Sequence, residues 1–186
     1  MIYIFFGPQG SGKSTQAKLL AEKLGIITIS SGEVSRKIRE ENTDEGRYAR
    51  ELYDQGKLLP DNILFGRLKE IFLSPQAAGG FILDGYPRNK GQIFPFELFL
   101  KESGKQVDKV VVIDLTDEEG IKRLMLRAKI ENRSDDNEGA IKKRLSIYHA
   151  ETEPIIDYYE KQGKVIHIDG SGTIEEVTGL ISKILP

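Results

Sequence analysis

The chain has 186 residues, 39% hydrophobic and 30% charged, with a net charge of −2. That length and balance fit one globular domain with a full core, and the near-neutral charge excludes a global basic field for nucleic acid. There is no cysteine, which excludes disulfides and Cys-ligated zinc, and the apolar run at 1–6 is too short for a signal peptide or membrane span, so a cytoplasmic protein is expected.

Residues 1–6 are continuously apolar, as in a strand buried on both faces. Gly7-Pro8-Gln9-Gly10-Ser11-Gly12-Lys13-Ser14-Thr15 follows, and at 16–24 Ala and Leu recur at helical spacing. Residues 26–29 read as a short strand, with Ser30 and Ser31 as candidate caps for a helix over 32–39. Thr43 is a candidate cap for a helix that includes 47–53 and stops at Gly56. Asp61 is expected to cap a helix over 63–68, after an extended Leu58-Leu59-Pro60. This is more helix than a simple crossover needs, so a small helical insertion is expected.

Residues 81–84 form an apolar strand ending in Asp84, and Gly85-Tyr86-Pro87-Arg88 is a turn. A helix bearing Phe96, Leu98, Phe99 and Leu100 follows, then a buried strand over 109–115. The next helix carries Ile121, Leu124, Met125 and Ala128, and 132–137 is a polar break. A long amphipathic helix over 140–159, a strand over 164–168 and a closing helix from Thr173 complete the chain. Alternating strands and helices predict a parallel α/β sheet, helices on both faces.

The stretch from Gly7 to Thr15 matches the pattern Gly, four residues, Gly, Lys, Ser or Thr, between a strand and a helix. Glycines let backbone N–H groups turn around an anion, and the helix start adds partial positive charge. In such a loop Lys13 would reach the outer phosphates of a nucleotide and the Ser14 hydroxyl would face Mg²⁺, with Thr15 a second hydroxyl in the same turn. Asp84, at a strand's carboxyl end, fits the second metal-holding role, or else is a turn or capping carboxylate. Arg36, Arg88, Arg123, Arg127, Arg133 and Arg144 either match phosphate oxygens or are solvated charges paired with nearby acids. Arg123 and Arg127 share one helical face. His149 and His167 read as structural. No Ser-His-Asp arrangement is evident, which suits a phosphate acceptor already carrying nucleophilic oxyanions.

The phosphate-loop string, Ser30-Ser31-Gly32-Glu33, Asp84-Gly85-Tyr86-Pro87-Arg88 and Asn132-Arg133-Ser134-Asp135-Asp136-Asn137 together resemble the adenylate kinases and their nucleoside-monophosphate kinase relatives in short-lid form. The resemblance covers nearly the whole chain. It implies a phosphate-loop kinase fold with a five-stranded parallel sheet, a single domain over 1–186, a monophosphate-binding segment over 30–59 and a lid over 126–136. It implies reversible phosphoryl transfer from ATP to AMP, giving two ADP with Mg²⁺, by a monomer without zinc, nucleic-acid or membrane partners. Transfer to UMP or CMP is the first alternative, and a nucleotide-binding regulatory protein of little activity the second.

By the same resemblance, Gly10, Ser11, Gly12, Lys13, Ser14 and Thr15 hold the ATP phosphates. Arg123 packs on the ATP adenine, Arg127 reaches its phosphates and Gly172 lies near that base. Ser31, Arg36, the stretch Lys57, Leu58 and Leu59, then Gly85, Tyr86, Pro87, Arg88 and Gln92 match the monophosphate site. Lys13, Arg88, Arg133 and Arg144 surround the transferring group, and Asp84 orients the waters of magnesium. The chain departs from the family pattern at Gln9, Ser14, Ser31, Glu33 and Ser35. A Gln92 amide can pair with adenine's ring nitrogen and amino group, or it can cap the following helix. Asn89 is more reminiscent of the pyrimidine enzymes.

Overall fold

The structure is a computed structural model that describes residues 1–55, 57, 59–131 and 137–185, the side chain of Glu131 excepted. Five strands run parallel: β1 (Ile2–Phe6), β2 (Ile27–Ser30), β3 (Phe81–Asp84), β4 (Lys109–Asp114) and β5 (Val165–Asp169). Their order is β2-β3-β1-β4-β5, so β1 is central and every residue of it is buried. This explains why its sequence is apolar throughout rather than alternating.

The pleat of β1 divides the core in two. Ile2, Ile4 and Phe6 face an aromatic-rich layer, while Tyr3 and Phe5 face an aliphatic one. Helix α1 (Lys13–Leu24) packs on the aliphatic side through Ala17, Leu20 and Ala21. Helix α5 (Lys90–Glu102) packs on the other side through Ile93, Phe96, Phe99 and Leu100. The chain leaving β1 therefore turns to one face and the chain leaving neighbouring β3 to the opposite face. A crevice opens between those two turns at the carboxyl ends of the strands, where open α/β sheets hold their ligands.

Between β2 and β3 lie α2 (Ser31–Glu40), α3 (Asp44–Asp54) and α4 (Asp61–Phe72). The expected helical insertion is thus present, with caps at two of its starts. Ser30 Oγ accepts from Glu33 N–H at 3.4 Å, and Thr43 Oγ1 accepts from Gly46 N–H at 3.0 Å. Arg67 of α4 bonds the carboxylates of Glu41 and Glu45, each at 2.6 Å, tying the insertion together. The expected stop at Gly56 lies outside the described residues.

Two expectations change. Asp61 does not cap α4; it is the first residue of that helix, and Pro60 occupies the cap position without a side-chain bond. Its carboxylate is held instead by the side-chain amides of Gln92 and Asn89. The long helix over 140–159 is three pieces: α7 (Glu138–Ile147), a π-helical stretch at Tyr148–Thr152, and α8 (Glu153–Glu160). Pro154 has no N–H to give to the carbonyl four residues earlier, so the ladder widens just before it. Helices α6 (Asp117–Glu131) and α9 (Ile174–Ile184) complete the structure, α9 starting with a capping box of Thr173 and Glu176. No helix among the described residues is long and apolar enough to cross a membrane.

Candidate active site

The loop from Gly7 to Gly12 takes the backbone shape that its glycines permit. Gly10 and Gly12 have φ of +89° and +87°, which side chains strongly disfavour. Gly12 precedes α1, whose first residue is Lys13, so the unpaired N–H groups of the helix start face the loop. Ser11 is buried, Ser14 and Thr15 are exposed at the helix start, and Lys13 is half-buried. Burial lowers the Lys13 ammonium from its ordinary pKa; Asp84 opposes that shift, and Arg88, Arg127 and Arg144 add to it. Those four charges therefore converge on Lys13 from β3, the turn after it, α6 and α7.

Asp84 is 5% exposed, at the end of β3 beside Phe5 of β1 and Ser30 of β2. Its Oδ2 accepts from Ser14 Oγ at 2.6 Å. The two oxygen donors expected to serve a magnesium ion are thus adjacent at the mouth of the loop. Hard oxygens, few in number and open to water and phosphate, are what Mg²⁺ requires. The residues present fit that ion.

The turn after Asp84 builds a second anion site. Ser31 Oγ donates to the Gly85 carbonyl at 2.5 Å, and Arg88 Nε donates to the same carbonyl at 2.9 Å and to Ser31 Oγ at 3.2 Å. The Arg88 guanidinium is anchored on one edge while the side chain stays open to the crevice. Its pKa is lowered by desolvation and further by Arg36, with Asp84 opposing. Atoms of Arg36 and Arg88 both come within 4 Å of where a Cβ on Gly32 would stand, at 3.9 and 3.5 Å. Two cations thus border one small space, an arrangement suited to a phosphate dianion.

Behind this turn, Tyr86 is buried, with its ring stacked on Phe65 at 6.1 Å, and its bond to the buried Pro87 is cis. Gln92 is also buried; its Oε1 accepts from Arg88 N–H at 2.6 Å and its Nε2 donates to Asp61. Asn89 caps α5, its Oδ1 accepting from Gln92 N–H at 3.1 Å. Lys57 is exposed, and Leu59 packs at the edge of the aromatic-rich core. Leu58 and Arg133 lie outside the described residues, as does the stretch 132–136 of the expected lid; its first residues, 126–131, are the end of α6.

Arg123 is held flat against the loop after β5. Its Nη1 and Nη2 donate to the carbonyls of Gly170 and Ser171, each at 2.9 Å, and its Nε bonds Glu119 at 3.0 Å. A guanidinium plane fixed in this way offers a stacking face for a base. Gly172 adjoins that plane in sequence and is crowded by Glu176, whose Oε2 lies 2.7 Å from where a Cβ would stand.

Comparison with known proteins decides the family. The adenylate kinase family model matches residues 5–164. An adenylate kinase of Leptospira biflexa is 43% identical, over 97% of this chain and 97% of the relative. One from Micrococcus luteus is 41% identical over 94% of this chain and 85% of its own length. A third, from Methanothrix thermoacetophila, is 37% identical over 100% of this chain and 98% of the relative.

The chain belongs to the adenylate kinase family.

Several residues of this adenylate kinase site were not singled out by the sequence. A Cβ on Gly10 would stand 2.7 Å from the Gly120 carbonyl, and one on Gly120 would stand 2.8 Å from the Gln9 carbonyl. The phosphate loop and α6 therefore touch backbone to backbone. Gly120 sits inside a helix, where a glycine is costly, and that cost was the available signal. Gln16 is buried and ties α1 to α9, its Nε2 donating to the Ile174 carbonyl at 2.9 Å and its Oε1 accepting from Thr178 at 2.8 Å. The histidines, expected to be structural, each bridge two acids: His149 pairs with Glu153 and Asp117, His167 with Asp114 and Glu160.

Proposed function

We propose that this protein transfers the terminal phosphoryl group of ATP to AMP, reversibly, giving two ADP with Mg²⁺. The observation that carries the reading is the convergence of Asp84, Arg88, Arg127 and Arg144 on Lys13, between a phosphate loop and a second anion site. The loop N–H groups and Lys13 hold the donor phosphates; Arg36 and Arg88 hold the acceptor phosphate. Holding both substrates removes the entropic cost of meeting, and the cations offset charge as it moves between them. An AMP phosphate oxygen is already an anion, so the chain need not supply a general base. Ser14 and Asp84 would hold magnesium, Asp84 partly through water, and the ion would neutralise charge on the donor phosphates.

The remaining roles extend from this arrangement. Gly10 to Thr15, Arg123, Arg127 and Gly172 form the ATP site. Ser31, Arg36, Lys57 to Leu59, Gly85 to Arg88 and Gln92 form the AMP site, and Arg133 and Arg144 close over the transferring group. The segments 30–59 and 126–136 move to exclude water, since an open site lets ATP hydrolyse. Gln92 keeps one acceptor lone pair and one N–H for a base after its two bonds are counted. Asn89 is engaged as a helix cap and as a donor to Asp61, so a local structural role accounts for it without a pyrimidine acceptor. We assign the working form as a cytoplasmic monomer acting on ATP and AMP, without nucleic-acid or membrane partners.

The deciding experiment is a coupled assay for ADP with ATP as donor and AMP, CMP, UMP, GMP and dAMP as acceptors. AMP is expected to give the highest kcat/KM. A higher value for CMP or UMP overturns the assignment in favour of a pyrimidine kinase. No ADP with any acceptor points to a regulatory nucleotide-binding protein.

A further inference from the structure

An amide side chain reads a base only if its oxygen and nitrogen are held in known positions. Free to flip, it offers donor-acceptor to one base and acceptor-donor to another. The structure shows what prevents Gln92 from flipping. On one side stands Arg88 N–H, which can only donate, and it bonds Oε1 at 2.6 Å. On the other stands the Asp61 carboxylate, which as an anion can only accept, and it bonds Nε2. Flipping would set two donors against each other at Arg88, and an oxygen against a carboxylate at Asp61. Asn89 closes the circuit. Its Nδ2 donates to Asp61 Oδ2 at 3.3 Å, while its Oδ1 takes Gln92 N–H at 3.1 Å. Asp61 thus accepts from both amides, and every polar contact in the ring has one allowed sense.

We propose that Asp61 is a specificity-determining positioning residue: by fixing the orientation of the Gln92 amide, it makes the acceptor site select a 6-aminopurine over a 6-oxopurine. The inference rests on the reading of AMP as acceptor and of Gln92 as the group facing its base. Adenine presents an unprotonated ring nitrogen beside an amino group, and the fixed amide meets these with its remaining N–H and its remaining lone pair. Hypoxanthine presents a protonated ring nitrogen beside a carbonyl, so the same amide meets it donor to donor and acceptor to acceptor. Asp61 stands at the first position of α4, 31 residues before Gln92 in sequence. It acts through Gln92 and touches no reacting atom.

The test compares AMP with inosine monophosphate, its 6-oxo counterpart, in wild type, Asp61→Ala and Asp61→Asn. The readout is the ratio of kcat/KM for the two acceptors, with ATP saturating. Removing Asp61 leaves only Arg88 N–H to oppose the flip, so the ratio is expected to fall about tenfold or more in Asp61→Ala, the usual weight of one hydrogen bond to a charged group. Asp61→Asn keeps the volume but cannot accept from both amides at once, so a smaller fall is expected. It also serves if Asp61→Ala melts below the assay temperature by circular dichroism. A merely structural Asp61 lowers both acceptors together, and a ratio unchanged in the folded variants overturns the proposal while leaving the kinase reading intact. A wild type that phosphorylates no AMP overturns the functional reading, and this one with it.

Discussion

The two halves of the crevice are built differently. The donor half is held by backbone: glycines at 10 and 12 with positive φ, a helix start at Lys13, and the close contact of Gly10 and Gln9 with Gly120. The acceptor half is held by side chains. Ser31 and Arg88 meet on the Gly85 carbonyl, Gln92 and Asn89 meet on Asp61, and Arg67 clamps Glu41 and Glu45. A backbone cradle with glycines at positive φ accepts an added Cβ only under strain, whereas a side-chain network can be retuned residue by residue.

The strongest way to break this contrast is to remove a cation from each half. Lys13→Met and Arg88→Ala should each reduce turnover about 100- to 1,000-fold with the fold intact, the usual weight of one preorganised electrostatic donor. Lys13→Met should weaken ATP binding and Arg88→Ala AMP binding, as calorimetry on each nucleotide would show. Near-normal turnover in either folded variant would refute the site assignment.

A second experiment targets the backbone contact. An alanine in place of a helical glycine ordinarily adds about 0.5–1 kcal/mol of stability. At Gly120 its Cβ would stand 2.8 Å from the Gln9 carbonyl, so the phosphate loop must shift. We expect Gly120→Ala to lose about 1–3 kcal/mol, the range for overpacking. It should raise the KM for ATP more than that for AMP. A stabilised variant with unchanged KM for ATP would show that the contact yields freely.

The acceptor half offers a milder counterpart. Ser31→Ala removes the hydroxyl that accepts from Arg88 and donates to Gly85, at a cost of about 1 kcal/mol, the net value of a typical hydrogen bond. Roughly fivefold in KM for AMP is expected, with KM for ATP unmoved. Steady-state kinetics with each substrate varied would detect a shift in the wrong one.

The smallest effect concerns pH. Glu153, then Asp117, raise His149 above its ordinary pKa, and Glu160, then Asp114, raise His167, with partial burial opposing in both. A histidine whose pKa rises on folding stabilises fully below its unfolded value of about 6.5, and that contribution is lost as pH climbs through the raised folded value. All four acids and both rings are partly exposed, so solvent screens the effect. His149→Ala should lower Tm more at pH 6 than at pH 9. An equal loss at both would mean that the ring matters by packing alone.

What could be read from sequence divides along the same line. The donor half was legible because glycine spacing, one lysine and a strand-to-helix switch sit within nine consecutive residues. The inner strands β1, β3 and β4 were legible because burial on both faces leaves apolar runs, and the part-exposed edge strands β2 and β5 because short stretches rich in Ile and Val mark them. The Asp61–Gln92 bond was not, because a helix-start Asp looks like a cap and its partner is 31 residues away. Nor was the π-helical stretch, since the buried positions Ile141, Leu145, Tyr148, Thr152, Ile155 and Tyr159 keep helical spacing straight through it. Only Pro154 marked the break, and a proline within a helix predicts trouble without saying how the backbone relieves it.

Asp84 and Gly85 are consecutive residues. The first bonds the Ser14 hydroxyl of the donor half, and the second offers the carbonyl on which Ser31 and Arg88 meet. The contact with Ser14 and the contacts with Ser31 and Arg88 are therefore carried by neighbouring residues, whose Cα atoms are about 3.8 Å apart by covalent geometry. A covalent spacer does not stretch when helices slide or when the molecule warms. Shifts in packing can reorient the Asp84 carboxylate and the Gly85 carbonyl, but the spacing of the two Cα atoms that carry them is set by the chain itself.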